Sequence, residues 1–332
     1  MLSRTADHLY WMARYMERAE NTARMLDVNY QTSLLPQSAD MAEQGWHGLL
    51  SISELTTSFR QKFDRCDAVS VMDFMVRDEA NPSSIVACLQ AARENARAVR
   101  GTLTTEVWET QNQTWLEFRR MLATDALRRD PSALFEWVKF RSHLSRGVTV
   151  GTMLQDEALH FLRIGTFLER ADNTARLLDV KFHALTKEFH GTQAQAMGVV
   201  RQMQGVAREQ PEYDFYHWSA VLRSVSGFEV YRKVYRDVIR PEKVAELLIL
   251  RNDMPRSLAA CMGEVMGNLQ RVANDQSGET LRRAGRLNAD LQYGRIDEIL
   301  ATGLHAYLTQ FLDRVSDLGY GIGRDFLVPV AA

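Results

Sequence analysis

Apolar residues return every three to four positions through most of this chain, the period of an amphipathic helix, and two-residue alternation is nearly absent. In Tyr15 to Val28, at 100° per residue, Tyr15, Ala19, Ala23 and Leu26 share one side, opposite Glu17, Glu20, Asn21, Arg24 and Asp27. Neither Pro nor Gly interrupts that stretch, so the helix is expected to run from Ser3 to Ser33, before Pro36. The same reasoning predicts helices over Ala42–Phe63, Asp67–Arg77, Thr104–Leu122, Ser132–Val150 and Gln155–Thr186, with another from Ser84. Beyond them come Tyr213–Val238, one from Pro241, Arg256–Ala273, Gly278–Gln292 and Arg295–Val315. His190–Gln195 reads as a loop, and the Gly-rich end, 318–332, as a frayed tail. The expectation is an all-α, multi-helix bundle of about ten helices in one domain over 1–332.

The first long stretch returns. YMERAENTARMLDV at Tyr15–Val28 matches FLERADNTARLLDV at Phe167–Val180 in ten of fourteen positions, and the same offset aligns His8 with His160. The apolar positions have drifted, while Glu17-Arg18, Asn21, Arg24 and Asp27 reappear as Glu169-Arg170, Asn173, Arg176 and Asp179, and Glu20 keeps its charge as Asp172. A solvated face should drift faster than a core face, because surface substitutions cost within about 0.5 kcal/mol. The inversion points to polar faces that meet each other, each acid finding an Arg, since a buried charge must be paired. The repeated long helix suggests a pseudo-two-fold arrangement of helices at about 3–33 and 155–186, with a C-terminal helical part at about 213–315.

Composition narrows the function classes. Forty basic against forty-two acidic residues give a net charge of −2, which points to neither nucleic acid nor a membrane surface as a partner. Cys66, Cys88 and Cys261 stand far apart, as expected of inert thiols in a reducing cytoplasm, and no signal peptide or membrane span is read. No phosphate-cradling Gly-rich loop follows a strand, and no GxSxG occurs, so no cofactor is expected.

Two placements could carry chemistry. Glu157 and His160 form Glu-x-x-His, the spacing by which helix bundles offer a carboxylate and an imidazole to one metal centre, with Glu169 and His8 as further candidates. A second Glu-x-x-His is missing, because Thr5 occupies the place equivalent to Glu157, and hydrogen-bonded core histidines are the competing reading. Pro255-Arg256-Ser257, at a helix start, sets Arg256 and Ser257 where an anion could bind, or where Ser257 simply caps the helix.

LSRTADHLYWMARYMERAENTARMLD, RENARAVRGTLTTEVWETQN, HFLRIGTFLERADNTARLLDVKF and LLILRNDMPRSLAAC, in this order, resemble the bacterial alpha-E family, a helical family named for a Glu-Arg motif. The likeness runs from Leu2 to about Val315, and its Glu-Arg pairs correspond to Glu17-Arg18 and Glu169-Arg170. Ala13 departs from the Gly expected before Arg14-Tyr15, whereas Gly165 keeps it. The resemblance implies a cytoplasmic protein that accompanies an ATP-grasp ligase, often with a transglutaminase-like peptidase, in amide- or peptide-bond metabolism. The expected role is an accessory subunit whose two Glu-Arg helices shape a polar cleft for a peptide or carboxylate. A metal-dependent enzyme and a ligand-free scaffold are the alternatives, and a homo-oligomer is compatible with each.

Overall fold

The computed structural model describes residues 1–36, 38–190 and 211–327. Within them the chain is all-α, with sixteen helices and no strand. The longer helices are α1 (Ser3–Ser33), α2 (Ala39–Ile52), α5 (Ile85–Ala98), α6 (Thr105–Ala123), α8 (Pro131–Thr152) and α9 (Glu157–His190). Then come α10 (Pro211–Ser224), α12 (Pro241–Leu250), α13 (Leu258–Arg271), α14 (Gly278–Gln292) and α16 (Leu304–Phe326). Short helices fill the gaps: α3 (Thr56–Arg60), α4 (Ala68–Val76), α7 (Ala126–Arg129), α11 (Phe228–Tyr235) and α15 (Ile296–Thr302).

α1 and α9 form the axis of the molecule. They lie side by side and run in the same direction, since their side-chain bonds join residues 151 to 155 apart in sequence. α5, α6 and α8 complete a four-helix group with α1, and α13, α14 and α16 do the same with α9. Polar caps start several of these helices: Ser84 accepts from Ala87 N–H, Thr104 from Val107 N–H, Asp130 from Ala133 N–H and Ser257 from Ala260 N–H.

Four expectations need correction. Ala42–Phe63 is two helices, because Glu54 takes a left-handed φ of 56°, and Tyr213–Val238 is broken at Ser226 (φ 53°) and Gly227. Arg295–Val315 is likewise split at Gly303, whose φ of 100° an L residue rarely adopts. The Gly-rich end does not fray within the described residues. Leu318, Ile322 and Phe326 extend the apolar stripe of α16 into the core, and Gly321 lets the helix approach Thr280, whose Oγ1 would be 2.5 Å from an added Cβ. Of the expected loop after α9, residues 191–195 lie outside the described residues.

The first copy of the repeated stretch is enclosed by protein over its second half. Every residue from Ala19 to Asp27 is buried, so the polar side of α1 faces protein and not water. Where α1 and α9 cross, Gly165 is indispensable: a Cβ there would stand 2.3 Å from the Tyr10 carbonyl oxygen. Ala13, at the matching place on α1, lies opposite it.

Candidate functional site

The two Glu-Arg steps pair crosswise. Arg170 donates through Nε and Nη2 to both oxygens of Glu17, at 2.8 Å each, and Arg18 donates to both oxygens of Glu169, at 2.6 and 3.1 Å. Such bidentate, charge-assisted pairs are the strong class of side-chain hydrogen bond. Arg14 adds a bond to Glu169 at 2.7 Å.

The surroundings of the two carboxylates then diverge. Glu17 also accepts from Arg256 and Arg146, both at 3.0 Å. Glu20, one turn on, accepts from Arg24 Nε at 2.8 Å, from Ser142 at 2.7 Å, and from Arg146 and Arg256 at 2.5 Å each. Four guanidiniums therefore surround two carboxylates, and the cluster carries two positive charges in excess. On the other side Asp172 pairs with Arg176, which also reaches Glu54, so that three acids face Arg14, Arg18 and Arg176. Asn21 Oδ1 accepts from Arg256 at 2.8 Å, while its buried Nδ2 has no acceptor. Asn173 is half-buried and stands outside both clusters.

The electrostatics follow from this crowding. Burial pushes Glu17 and Glu20 up, but Arg170 and Arg256 outweigh it at Glu17, and Arg256, Arg146 and Arg24 hold Glu20 well below the usual carboxylate range. Burial also acts against ionisation of Glu169, yet Arg14 and Arg18 bring it down to about 2. All three are ionised anchors. Burial lowers the pKa of Arg256, and Arg170 and Arg24 add repulsion that Glu17 and Glu20 do not fully offset. The excess charge is felt again at His143. Its Nε2 lies 3.2 Å from Arg24 Nη2 and its Nδ1 2.8 Å from Arg146 Nη2. A neutral imidazole has a single acceptor nitrogen, so one of these contacts sets N–H against N–H. Burial and the nearby arginines keep that ring uncharged, lowering its pKa against the pull of Glu20.

Beside the cluster lies a cavity of about 130 Å³. Its polar wall comes from Arg146, Ser142, Ser145, Thr149, Gln111 and Arg163, and its apolar floor from α1 and α9. That volume is close to the ~150 Å³ of cavities that admit a benzene-sized guest. Glu17, its acidic lining residue, is already saturated by three arginines. Chemically the arrangement suits a small anionic group such as a carboxylate. A general acid with a raised pKa is not among these three glutamates.

The metal candidates do not converge. His8 Nδ1 is 2.8 Å from Asn95 Oδ1, His160 Nδ1 is 2.8 Å from Asn268 Oδ1, Glu157 is exposed and Glu169 is held by arginines. Among the described residues, no three His, Cys, Asp or Glu side chains are grouped to hold a metal ion. Arg256 does contact anions, but they are the protein's own Glu17 and Glu20, and Ser257 caps α13. The cysteines are free and buried, Cys88 and Cys261 pushed up to about 12 by burial.

Sequence reasoning placed the helix α8 but missed its side chains at the site. Ser142, Ser145, Arg146 and Thr149 fall at i, i+3, i+4 and i+7, a polar stripe on the inward face of the helix. That spacing was the available signal.

A family model described as an alpha-helical domain with a conserved ER motif, Alpha-E, matches residues 1–327. The chain belongs to the Alpha-E family. Glu is followed by Arg at only two places in the sequence, Glu17-Arg18 and Glu169-Arg170, and these are the crosswise pairs at the α1–α9 contact. Three curated relatives, two from Mycobacterium tuberculosis strains and one from Mycobacterium bovis, are 24% identical over 337 residues and are described only as uncharacterized proteins. The match covers 93% of this Alpha-E chain but 35% of each relative, so the chain spans about a third of their length. No solved structure matches. Among the described residues no helix is long and apolar enough to cross a membrane.

Proposed function

We propose that this Alpha-E protein is the helical accessory subunit of an ATP-grasp-type ligase that forms amide or peptide bonds, and that its cationic cavity holds the carboxylate of a peptide or amino acid. The family resemblance supplies the partner. The observation that carries the ligand is the excess of four guanidiniums over two saturated carboxylates in a cluster that reaches the wall of a cavity through Arg146 and Glu17. A fold that needed only to neutralise Glu17 and Glu20 would do so with two arginines.

A contrast between the two four-helix groups supports the reading. The reading takes the chain as two copies of one unit, α1–α8 and α9–α16, in which α8 answers to α16 and α5 to α13. His8–Asn95 and His160–Asn268 are then the same contact made twice. On the same register Ser142, Ser145 and Thr149 answer to Val315, Leu318 and Ile322, which are buried and apolar, and Arg146 answers to Gly319. Arg256 answers to Ser83. The polar stripe that α8 presents to the cavity therefore has no counterpart on α16, as a binding function would require and a packing function would not.

The outer face of α8 favours a protein partner. Phe140 and Leu144 are exposed there, Leu154 just beyond the helix is 79% exposed, and Gly147 has open space before it. Exposed apolar residues aligned on one helix face are the usual mark of an interaction surface. Relatives three times as long are consistent with a unit that works beside other domains.

The test is reconstitution. The chain is purified with an ATP-grasp ligase encoded beside its gene, and ATP turnover is followed with amino-acid and peptide acceptors. Arg146→Gln should leave the complex intact and abolish acceptor-dependent turnover, while Leu144→Glu should break the complex. Unchanged turnover with Arg146→Gln would discard the cavity, and no association with the ligase would discard the partner.

A further inference from the structure

A second and larger cavity, about 390 Å³, lies between the C-terminal half of α1 and the helices α2, α9 and α10. It lies apart from the arginine cluster and shares no lining residue with the first cavity. Its lining includes the amine-bearing Lys181, the amide of Asn29 and the imidazole of His217, and no acidic residue among those described.

One buried donor there, on Asn29, lacks an acceptor, and the amine of Lys181 lacks a carboxylate. Lys62, Lys139 and Lys243 each pair with a carboxylate, but Lys181 has no ion pair among the described residues. Its Nζ lies 3.7 Å from where a Cβ on Gly48 would stand, pressed toward the backbone of α2. Asn29 Nδ2 is buried with no hydrogen-bond partner, although Asn29 Oδ1 is 3.2 Å from a Cβ built on Gly45 and so is packed against the same helix. His217 supplies no charge to balance the amine. Its Nε2 donates to the Lys181 carbonyl at 3.1 Å, and burial, with Lys181 nearby, lowers its pKa to about 3. Burial alone lowers the pKa of Lys181, with nothing acidic to restore it.

A buried donor without an acceptor costs the full desolvation of that group, and an unpaired cation costs more. An unsatisfied amide N–H and an amine without a carboxylate, on residues that line one cavity, describe a site for an anion with two oxygens. We propose that the cavity between α1, α2, α9 and α10 is a second binding site, for a small organic carboxylate, with Lys181 and Asn29 as its donors. A lysine and a neutral amide suit one carboxylate, whereas a phosphate dianion would leave a charge uncompensated. The site is independent of the cationic cavity on α8.

Trace acetylation of the intact protein with acetic anhydride across pH 6 to 11, read by mass spectrometry, gives the titration of each lysine. Lys181 should react at lower pH than the exposed Lys233. Butyrate, a monocarboxylate, at constant ionic strength should slow Lys181 labelling about tenfold and move its titration upward, with Lys233 unaffected. Asn29→Leu, checked for helicity by circular dichroism, should remove most of that protection, and Arg146→Gln should leave it unchanged. The proposal is overturned if Lys181 titrates with Lys233, if sodium chloride protects as well as butyrate, if Asn29→Leu keeps full protection, or if Lys181 is never labelled.

Discussion

Glu20 is fully buried and accepts hydrogen bonds from Arg24, Arg146, Arg256 and Ser142, as many as Glu17 accepts from its three arginines. Replacing it by Ala would leave Arg24 without its carboxylate and Arg146 and Arg256 with only Glu17, which Arg170 also holds. Breaking a buried pair in this way costs about 3–5 kcal/mol, so Glu20→Ala should lose that much in urea unfolding. Glu169 makes a pH prediction. Its folded pKa, about 2, lies below the ordinary 4.5, so its stabilisation is complete above pH 4.5 and is lost as pH falls from there to 2. The shift corresponds to about 3 kcal/mol. Urea midpoints measured between pH 5 and 2 should fall steadily, and those of Glu169→Gln should fall less. The repeat in the sequence made Glu17, Glu20, Arg24 and Arg170 visible, because their identities outlasted the apolar positions beside them. It could not reveal Arg146, which has no counterpart in the repeat, nor that Asp172 and Arg176 form a half-buried pair well apart from the cavity.

Among elements, the crossing of α1 and α9 is the tightest contact, and it rests on one missing methyl group. Gly165→Ala forces a Cβ to within 2.3 Å of the Tyr10 carbonyl oxygen, so backbone must shift. Overpacking of this kind costs about 1–3 kcal/mol. Gly147→Ala on α8 meets nothing within 4 Å, and the better helix former should instead add about 0.5–1 kcal/mol. Thermal melts of the two variants should therefore move in opposite directions. Helix periodicity located nearly every element, and caps such as Thr104 and Asp130 fixed their starts. The breaks at Glu54 and Ser226 were illegible, because a left-handed φ at a residue other than Gly leaves no mark in an apolar pattern. The end of α16 was misread for the converse reason. Its glycines looked like flexibility, and they serve close packing against Thr280 and Leu168.

At the scale of the molecule, two four-helix groups share one parallel helix pair, and a polar cavity beside the arginine cluster lies between α1, α6, α8 and α9. The direct test of that cavity is the thermal midpoint of the protein with and without a carboxylate, at constant ionic strength, for wild type and Arg146→Gln. Acetate, alanylalanine and glutamate serve as probes, with chloride as the control. A ligand at a hundred times its dissociation constant stabilises the folded state by about 2.7 kcal/mol, a clear rise in midpoint for a domain of this size. The expected result is a rise with at least one carboxylate that chloride does not reproduce and that Arg146→Gln abolishes. A wild type indifferent to all three, or a variant that responds as strongly as wild type, would contradict the carboxylate site.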